Sequence, residues 1–447
     1  MIPLSEDLAR KVIEQNEITE VGSSDQASST NNVSVKETSC LKPNGHDLSN
    51  FENHPGYKLL QKRKADALAK NISIPFFPTN TGANNNNVVI DGRELINFSG
   101  YNYLGLSGHP YVSEAAKSAI DQFGTSVSAS RIVSGQIPLH LQLEKTITDF
   151  LGVEDCLAFV SGYNTNVTTL GHLLGRKDLV LHDHMAHNSI LTGCNLTNAN
   201  RMSFPRNDWD RLEQILGDCR THYQRVIIVI EGTYSMDGNI PDLIRAIAIK
   251  KKYDAFLMVD EAHSLGVIGE KGGGIGEHHG IDRREVDIWM GSLSKTFASC
   301  GGFIAGSAAL VDYLKYSAPG FIFSVGLSPP DTASAIAAFE ILKREPGRVK
   351  RLRENTQYFL ALAAKAGLDT GMNNGAPVVP VVVGDAHRCM KLSKRLFEIG
   401  IHVQPIIYPA VAHDDARLRF FVTSMHSHEE IEFTVMNLAK ELSQLSD

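Results

Sequence analysis

Lys295 stands in the run MGSLSKTFASCGGFIAG, Met290 to Gly306, with serine, threonine and glycine around it. Such small neighbours give its long stem little apolar surface to lie against, so packing is a poor explanation for it. A lysine held in a partly dry, polar pocket has a lowered pKa and can form a Schiff base with an aldehyde. A solvated surface lysine is the ordinary alternative. The apolar run DIWMG before it reads as a strand, which puts Lys295 just past a strand end.

Other strand ends carry residues of interest. FVSGYNTN ends a strand and opens a helix, with Ser161, Gly162, Tyr163 and Asn164 at the turn. Glycine allows close backbone approach, and the first N–H groups of a helix attract anions, so a phosphate could sit there; an ordinary strand–helix turn reads the same way. LHDHMAHNSI brings three histidines, His182, His184 and His187, into one loop. No HExxH pattern or neighbouring cysteine completes a zinc motif, so no metal is expected. His187 precedes small residues and could lie flat on an aromatic ligand. In IEGTYSMDG, Ser235 and Asp237 could be turn formers, and Gly238 favours that reading. In MVDEAHSLG, Asp260 follows an apolar run, so a partner is required for its carboxylate if it is buried. His263, three residues on, could face the same cleft.

Taken together, one cleft would hold a phosphate turn, a flat imidazole, a buried acid and a lysine nucleophile. Pyridoxal 5'-phosphate needs that set: an anion site, a stacking group, an acid for its ring nitrogen and a Schiff-base lysine.

The elements that must position these residues are legible in the hydrophobic pattern. DCLAFVSG, DLVLHD, RVIIVIEG, AFLMVDEA, DIWMGSLSK and CGGFIAGS are apolar runs, several separated by helical stretches, which indicates a buried, mostly parallel sheet. In open sheets of this kind ligands sit at the carboxyl ends of the strands. After about residue 330, long helices and the strands PVVPVVVG, IHVQPIIY and ARLRFFVTS suggest a smaller α+β domain. The expected organisation is a linker over 1–50, a helix-and-hairpin segment over 51–109, a large domain over 110–330 and a small one over 331–447. Residues 1–50 are polar and Ser/Thr-rich, with one short helical stretch at LSEDLARKVIEQ.

The 447 residues suffice for two or three cores. A net charge of −7 argues against nucleic-acid binding by phosphate neutralisation. No run is long enough for a membrane span. The six scattered cysteines read as free thiols in a reducing cytoplasm.

Between about residues 90 and 440 the chain resembles the α-oxoamine synthases, fold-type I pyridoxal-phosphate enzymes. The resemblance rests on SGYNYLGLSGHP, SASRIVSG, SGYNTN, AHNSI, EGTYSMDG, VDEAHSLGVIG, GSLSKTF and ARLRFFVT, in family order. It implies a large domain with a seven-stranded, mostly parallel sheet and a C-terminal small domain. It also implies roles. Lys295 resembles the Schiff-base lysine and Cα base, Asp260 the pyridinium partner, His263 the group on the ring oxygen with Ser235 nearby, and His187 the stacked imidazole. Gly162, Tyr163, Asn164 and Ser292 match phosphate-site positions. Ser324 matches a residue donated from a second subunit, which implies a homodimer. Arg419 matches the substrate-carboxylate arginine, with Arg417 its competitor. Tyr101 occupies a substrate-facing position where many members have asparagine. The implied reaction is decarboxylative condensation of an amino acid with an acyl thioester, on CoA or an acyl carrier protein, giving an α-amino ketone. Details such as AHNSI and the absence of glycine shortly after Lys295 look most like domains joined to polyketide synthases. The alternative on the same fold is an aminotransferase.

Overall fold

The computed structural model describes residues 49–69 and 74–445. The expected linker over 1–50, apart from Ser49 and Asn50, the helical stretch within it and Cys40 lie outside the described residues. The chain divides into two units at Arg63/Lys64. In the first, Asn50 caps a short helix over Phe51–Asn53, and a second helix, Pro55–Ala69, starts there and runs on into the following unit.

The second unit is built on three sheets. Its strands are β1 (Asn80–Thr81), β2 (Asn87–Ile90), β3 (Arg93–Asn97), β4 (Asp155–Phe159), β5 (Leu179–Asp183), β6 (Asn200–Phe204), β7 (Val226–Glu231), β8 (Phe256–Asp260), β9 (Ile288–Ser292), β10 (Gly302–Gly306), β11 (Val378–Gly384), β12 (Ile401–His402), β13 (Pro405–Ile406) and β14 (Ala416–Phe421). The large sheet has seven strands in the order β4-β10-β9-β8-β7-β5-β6. It is parallel except at β10, which runs antiparallel to both of its neighbours. This is the α/β architecture with a seven-stranded, mostly parallel sheet that the resemblance implies.

Side-chain alternation explains both faces of this sheet. Val226, Ile228 and Ile230 of β7 join one core with Leu257 and Val259 of β8. Ile227 and Val229 face the other core with Met258 and Met290. Helices Gly162–Leu173 and Asn188–Leu196 send Leu170, Ile190 and Cys194 into that second core. The same two-residue period places Glu231 and Asp260, the last residues of β7 and β8, on the face these helices cover. They are register partners, and Met290 of β9 stands next to Asp260.

β11, β14 and β13 form a three-stranded sheet. Ala416, Leu418 and Phe420 of β14 pack into the core beneath it, with Phe98, Phe359 and Val381. Alternation therefore turns Arg417, Arg419 and Phe421 to the opposite face, and Phe421 joins the core of the large sheet. The run IHVQPIIY, expected as one strand, is two. β12 lies parallel to β3 and completes a sheet with the β2–β3 hairpin, while β13 pairs with β14. Pro405 starts β13, where a missing N–H costs the ladder least. Among the described residues no helix is long and apolar enough to cross a membrane.

Candidate active site

The carboxyl ends of β7, β8 and β9 open into a cavity of about 240 Å3. Tyr101, Gly162, Tyr163, His187, Asp260, His263, Ser292 and Lys295 all line it. Eight residues singled out in the sequence thus share one cleft. A larger cavity of about 320 Å3 lies at the opposite strand ends. Among the described residues that line it, Arg225 pairs with Asp178, Arg284 with Asp282 and Asp287 with Lys250, and none is a lysine.

Asp260 is 4% exposed and is the best-held acid of the cleft. Its Oδ2 accepts from Asn166 Nδ2 at 2.7 Å and its Oδ1 from the Ala262 N–H at 2.9 Å. Lys295 follows β9 in a turn, and its Nζ lies 5.9 Å from the centroid of the Tyr101 ring. Burial lowers the pKa of this amine, opposed by the charges of Asp260 and Glu231 and assisted by Arg419.

His187 caps the helix Asn188–Leu196 through Nδ1, which accepts the Ser189 N–H at 3.2 Å and lies 2.7 Å from Ser189 Oγ. An acceptor at Nδ1 leaves the ring proton on Nε2. Burial lowers its pKa, with Asp260 opposing and Lys295 and Arg419 adding to the shift. His263 is held well below its usual pKa by burial, and next by Lys295 and Arg419. It is therefore neutral. Its Nδ1 lies 2.7 Å from Tyr103 Oη, and its ring stacks on Phe421 at 6.1 Å between centroids. Burial raises the Tyr103 pKa, so the phenol stays protonated and donates to Nδ1, which places the imidazole proton on Nε2.

Ser161 caps the helix Gly162–Leu173, its Oγ accepting from the Asn164 N–H at 3.1 Å. That leaves the first N–H groups of the helix, those of Gly162 and Tyr163, for an anion. A Cβ on Gly162 would lie 3.0 Å from Ser292 Oγ, so a side chain there would crowd Ser292 between this helix start and β9. The Asn164 side chain turns away, donating to Gly320 O at 3.1 Å. Tyr163 Oη is engaged by Asn188 and Thr192 at 3.1 and 3.0 Å.

Four expected residues lie outside the cleft lining: Asn164, whose side chain turns away, and Ser235, Ser324 and Arg419. Ser235 presents its carbonyl to Arg419 Nη1 at 3.0 Å. Ser324 lines a separate small cavity with Arg131 and Phe321. Arg419 stands behind the Tyr101–Phe421 aromatic group, 4.8 Å from the Phe421 ring centroid, with no carboxylate partner among the described residues. Arg417 is the opposite case: it is 4% exposed and bonded to Asp237 at 2.9 Å and to Asp415. Arg417 is thus spent on the protein, whereas Arg419 meets only Ser235 O and Met236 Sδ besides the Phe421 ring.

Of the loop histidines, only His187 reaches the cleft. His182 is bonded to Asp183 O at 2.8 Å, and His184 accepts the Arg206 N–H at 3.0 Å. Among the described residues no group of three or more His, Cys, Asp or Glu could hold a metal. The sequence reading missed Glu231, Asn166, Ser189 and Tyr103. The first lay within a quoted motif, EGTYSMDG, as a buried acid at a strand end, the signal that had identified Asp260.

These residues fit pyridoxal 5'-phosphate. The cavity offers a helix-start anion site against Ser292, an imidazole wall, a carboxylate steadied by two donors and a depressed-pKa amine. Asn166 Oδ1 is buried without a partner beside them.

Comparison with known proteins agrees. The model of the aminotransferase class I and II family matches residues 93–437. The chain is 38% identical over 358 residues to 8-amino-7-oxononanoate synthase 1 of Bacillus velezensis, covering 79% of this chain and 91% of that protein. It is 34% identical to the corresponding synthase of Thermoanaerobacter pseudethanolicus over 80% of this chain and 90% of the relative. Serine palmitoyltransferase of Sphingomonas wittichii superposes with a TM-score of 0.83 at 27% identity, over 89% of this chain and 98% of that one. The chain belongs to the aminotransferase class I and II family and, within it, to the α-oxoamine synthases, acyltransferases that work with pyridoxal 5'-phosphate.

Proposed function

We propose that the chain condenses an α-amino acid with an acyl thioester and releases carbon dioxide, leaving an α-amino ketone. One observation carries the reading: a partly buried amine of lowered pKa, Lys295, faces the same cavity as Asp260, His187 and His263.

When bound, pyridoxal 5'-phosphate supplies an aldehyde and a ring that accepts electron density from the substrate Cα. Lys295 would hold it and, once free, take the Cα proton, since a depressed pKa leaves its amine available as a base near neutral pH. Asp260, steadied by Asn166 and Ala262, would keep a proton on the ring nitrogen. His263 would donate from Nε2 to the ring oxygen, and His187 would cover the ring face. The N–H groups at Gly162 and Tyr163, with Ser292, would bind the phosphate. Arg419 would clamp the substrate carboxylate, and its planar fork suits that task. Tyr101, 43% exposed at the cleft, would shape the space left for the amino-acid side chain.

Ser324 lies away from its own chain's cleft, which supports a homodimer in which it serves the cleft of the second copy. The acyl donor would be CoA or an acyl carrier protein. Motifs such as AHNSI and the Tyr101 position support a place in polyketide-type or related secondary metabolism, and the six scattered cysteines with no CxxC pair support a cytoplasmic location.

The test supplies acyl-CoA and acyl-carrier-protein donors with a panel of amino acids, and follows thiol release and product mass. Thiol release that depends on one amino acid, with a product lighter by carbon dioxide, is expected. Amino-group transfer to an oxoacid without thiol release would overturn the reading in favour of an aminotransferase.

A further inference from the structure

Glu231 is the one carboxyl at the cleft for which the proposed chemistry has no use. It ends β7, is 3% exposed, and is the register partner of Asp260 on β8. Two carboxyls thus stand side by side at neighbouring strand ends, on one face of the sheet. Asp260 is met by two hydrogen-bond donors, Asn166 and Ala262. Glu231 receives the backbone N–H of His187 at 2.7 Å.

That bond has a consequence for the imidazole. His187 follows β5 in the short link to the helix Asn188–Leu196, and its side chain is set by the cap it makes with Ser189. The cap fixes the ring relative to the helix start. The Glu231 bond fixes the backbone of His187 relative to β7. With both in place, the ring is held against the sheet from which Asp260 emerges.

We propose that Glu231 is a positioning residue for His187, a sheet-anchored carbonyl acceptor that fixes where the imidazole stands over the cofactor site. The inference rests on the reading of this cleft as the pyridoxal-phosphate site. The role needs an acceptor oxygen and needs no negative charge. The surroundings withhold that charge. Burial and the neighbouring Asp260 push the Glu231 carboxyl up to about 8, against the His187 N–H bond and Lys295. The titratable and charged groups that face it are Asp260 on β8, Asp183 on β5, His187 after β5, Lys295 after β9, and Arg206 and Tyr234 from the loops after β6 and β7. Near neutral pH the protonated form of Glu231 therefore predominates.

Two variants of the full chain separate the acceptor from the charge. Glu231→Gln keeps a carbonyl oxygen and is permanently neutral. Glu231→Met keeps the length and removes the acceptor. Each is titrated with pyridoxal 5'-phosphate, and the visible circular dichroism of the bound cofactor is recorded from pH 6 to 10 beside a thermal melt. Glu231→Gln is expected to bind within about threefold of the parent, with the parent's dichroic band at pH 7 and no spectral change around pH 8. Glu231→Met is expected to bind about fivefold to tenfold more weakly, the scale of one lost neutral hydrogen bond, with an altered band. A Glu231→Met protein with the parent's affinity and band overturns the inference, as does a Glu231→Gln protein as impaired as Glu231→Met. A parent that binds no pyridoxal 5'-phosphate removes the reading of the cleft itself, and the inference with it.

Discussion

Asn166, one turn into the helix Gly162–Leu173, donates a 2.7 Å hydrogen bond to Oδ2 of Asp260 at the end of β8. The bond ties the helix whose first turn would bind the phosphate to the acid that would meet the ring nitrogen. Hydrogen bonds to a charged group are worth about 1.5–3 kcal/mol. Asn166→Ala should therefore weaken pyridoxal 5'-phosphate binding by about tenfold or more, seen in an absorbance titration. Unchanged affinity would show that the Ala262 N–H alone holds the carboxylate.

The two arginines of ARLRFF should part company on mutation. Arg417 is buried between Asp237 and Asp415, and removing one partner of a buried ion pair costs about 3–5 kcal/mol. Arg417→Ala should lower the melting temperature with or without substrate. Arg419 has no carboxylate partner among the described residues, so Arg419→Ala should chiefly raise KM for the amino acid, and Arg419→Lys should recover only part of it. Kinetics alongside melts would decide; a large stability loss at Arg419 with unchanged KM would assign it to the fold.

The strand ends were legible because parallel strands buried on both faces leave long apolar runs, and the polar residues that close them stand out. RVIIVIEG and AFLMVDEA announced β7 and β8 in this way. β6 was missed for the converse reason. It is the sheet's edge, all but Phe204 are exposed, and NRMSF carries no apolar run. The division of IHVQPIIY escaped too, because the pairing of β12 with β3 is a contact across the chain that local pattern does not encode. Within the site, Lys295 and Asp260 could be singled out by type and place. Asn166 could not, because an asparagine inside a helix looks like any polar helical residue until the fold brings it to Asp260.

Lys295 should be the lysine that carries the cofactor. Burial lowers its pKa, and a larger neutral fraction makes it the more reactive amine near neutral pH. Borohydride reduction of the cofactor-loaded protein, followed by peptide mass analysis, should place the phosphopyridoxyl group on the peptide containing Lys295. Lys295→Ala should lose the visible band of the bound cofactor. The label on another lysine, or a band unchanged in that variant, would refute the assignment.

Glu231 also makes a prediction about stability in the cofactor-free chain. Its carboxyl is pushed up to about 8 in the fold, above the 4.5 of an unperturbed glutamate. The folded state therefore binds more protons than the unfolded state between those values, and stability falls as pH rises through that window. Below about 4.5 both states are protonated and the penalty vanishes; above about 8 it is fully present. Lys295 acts in the opposite sense: its folded pKa is lowered, so it favours the folded state as pH rises towards the ordinary lysine range. The parent's own pH profile mixes the two, and a difference isolates the carboxyl. Glu231→Gln cannot ionise, so its stability relative to the parent should grow between pH 5 and pH 8 in parallel denaturant titrations. A constant difference across that range would mean that Glu231 titrates as an ordinary glutamate.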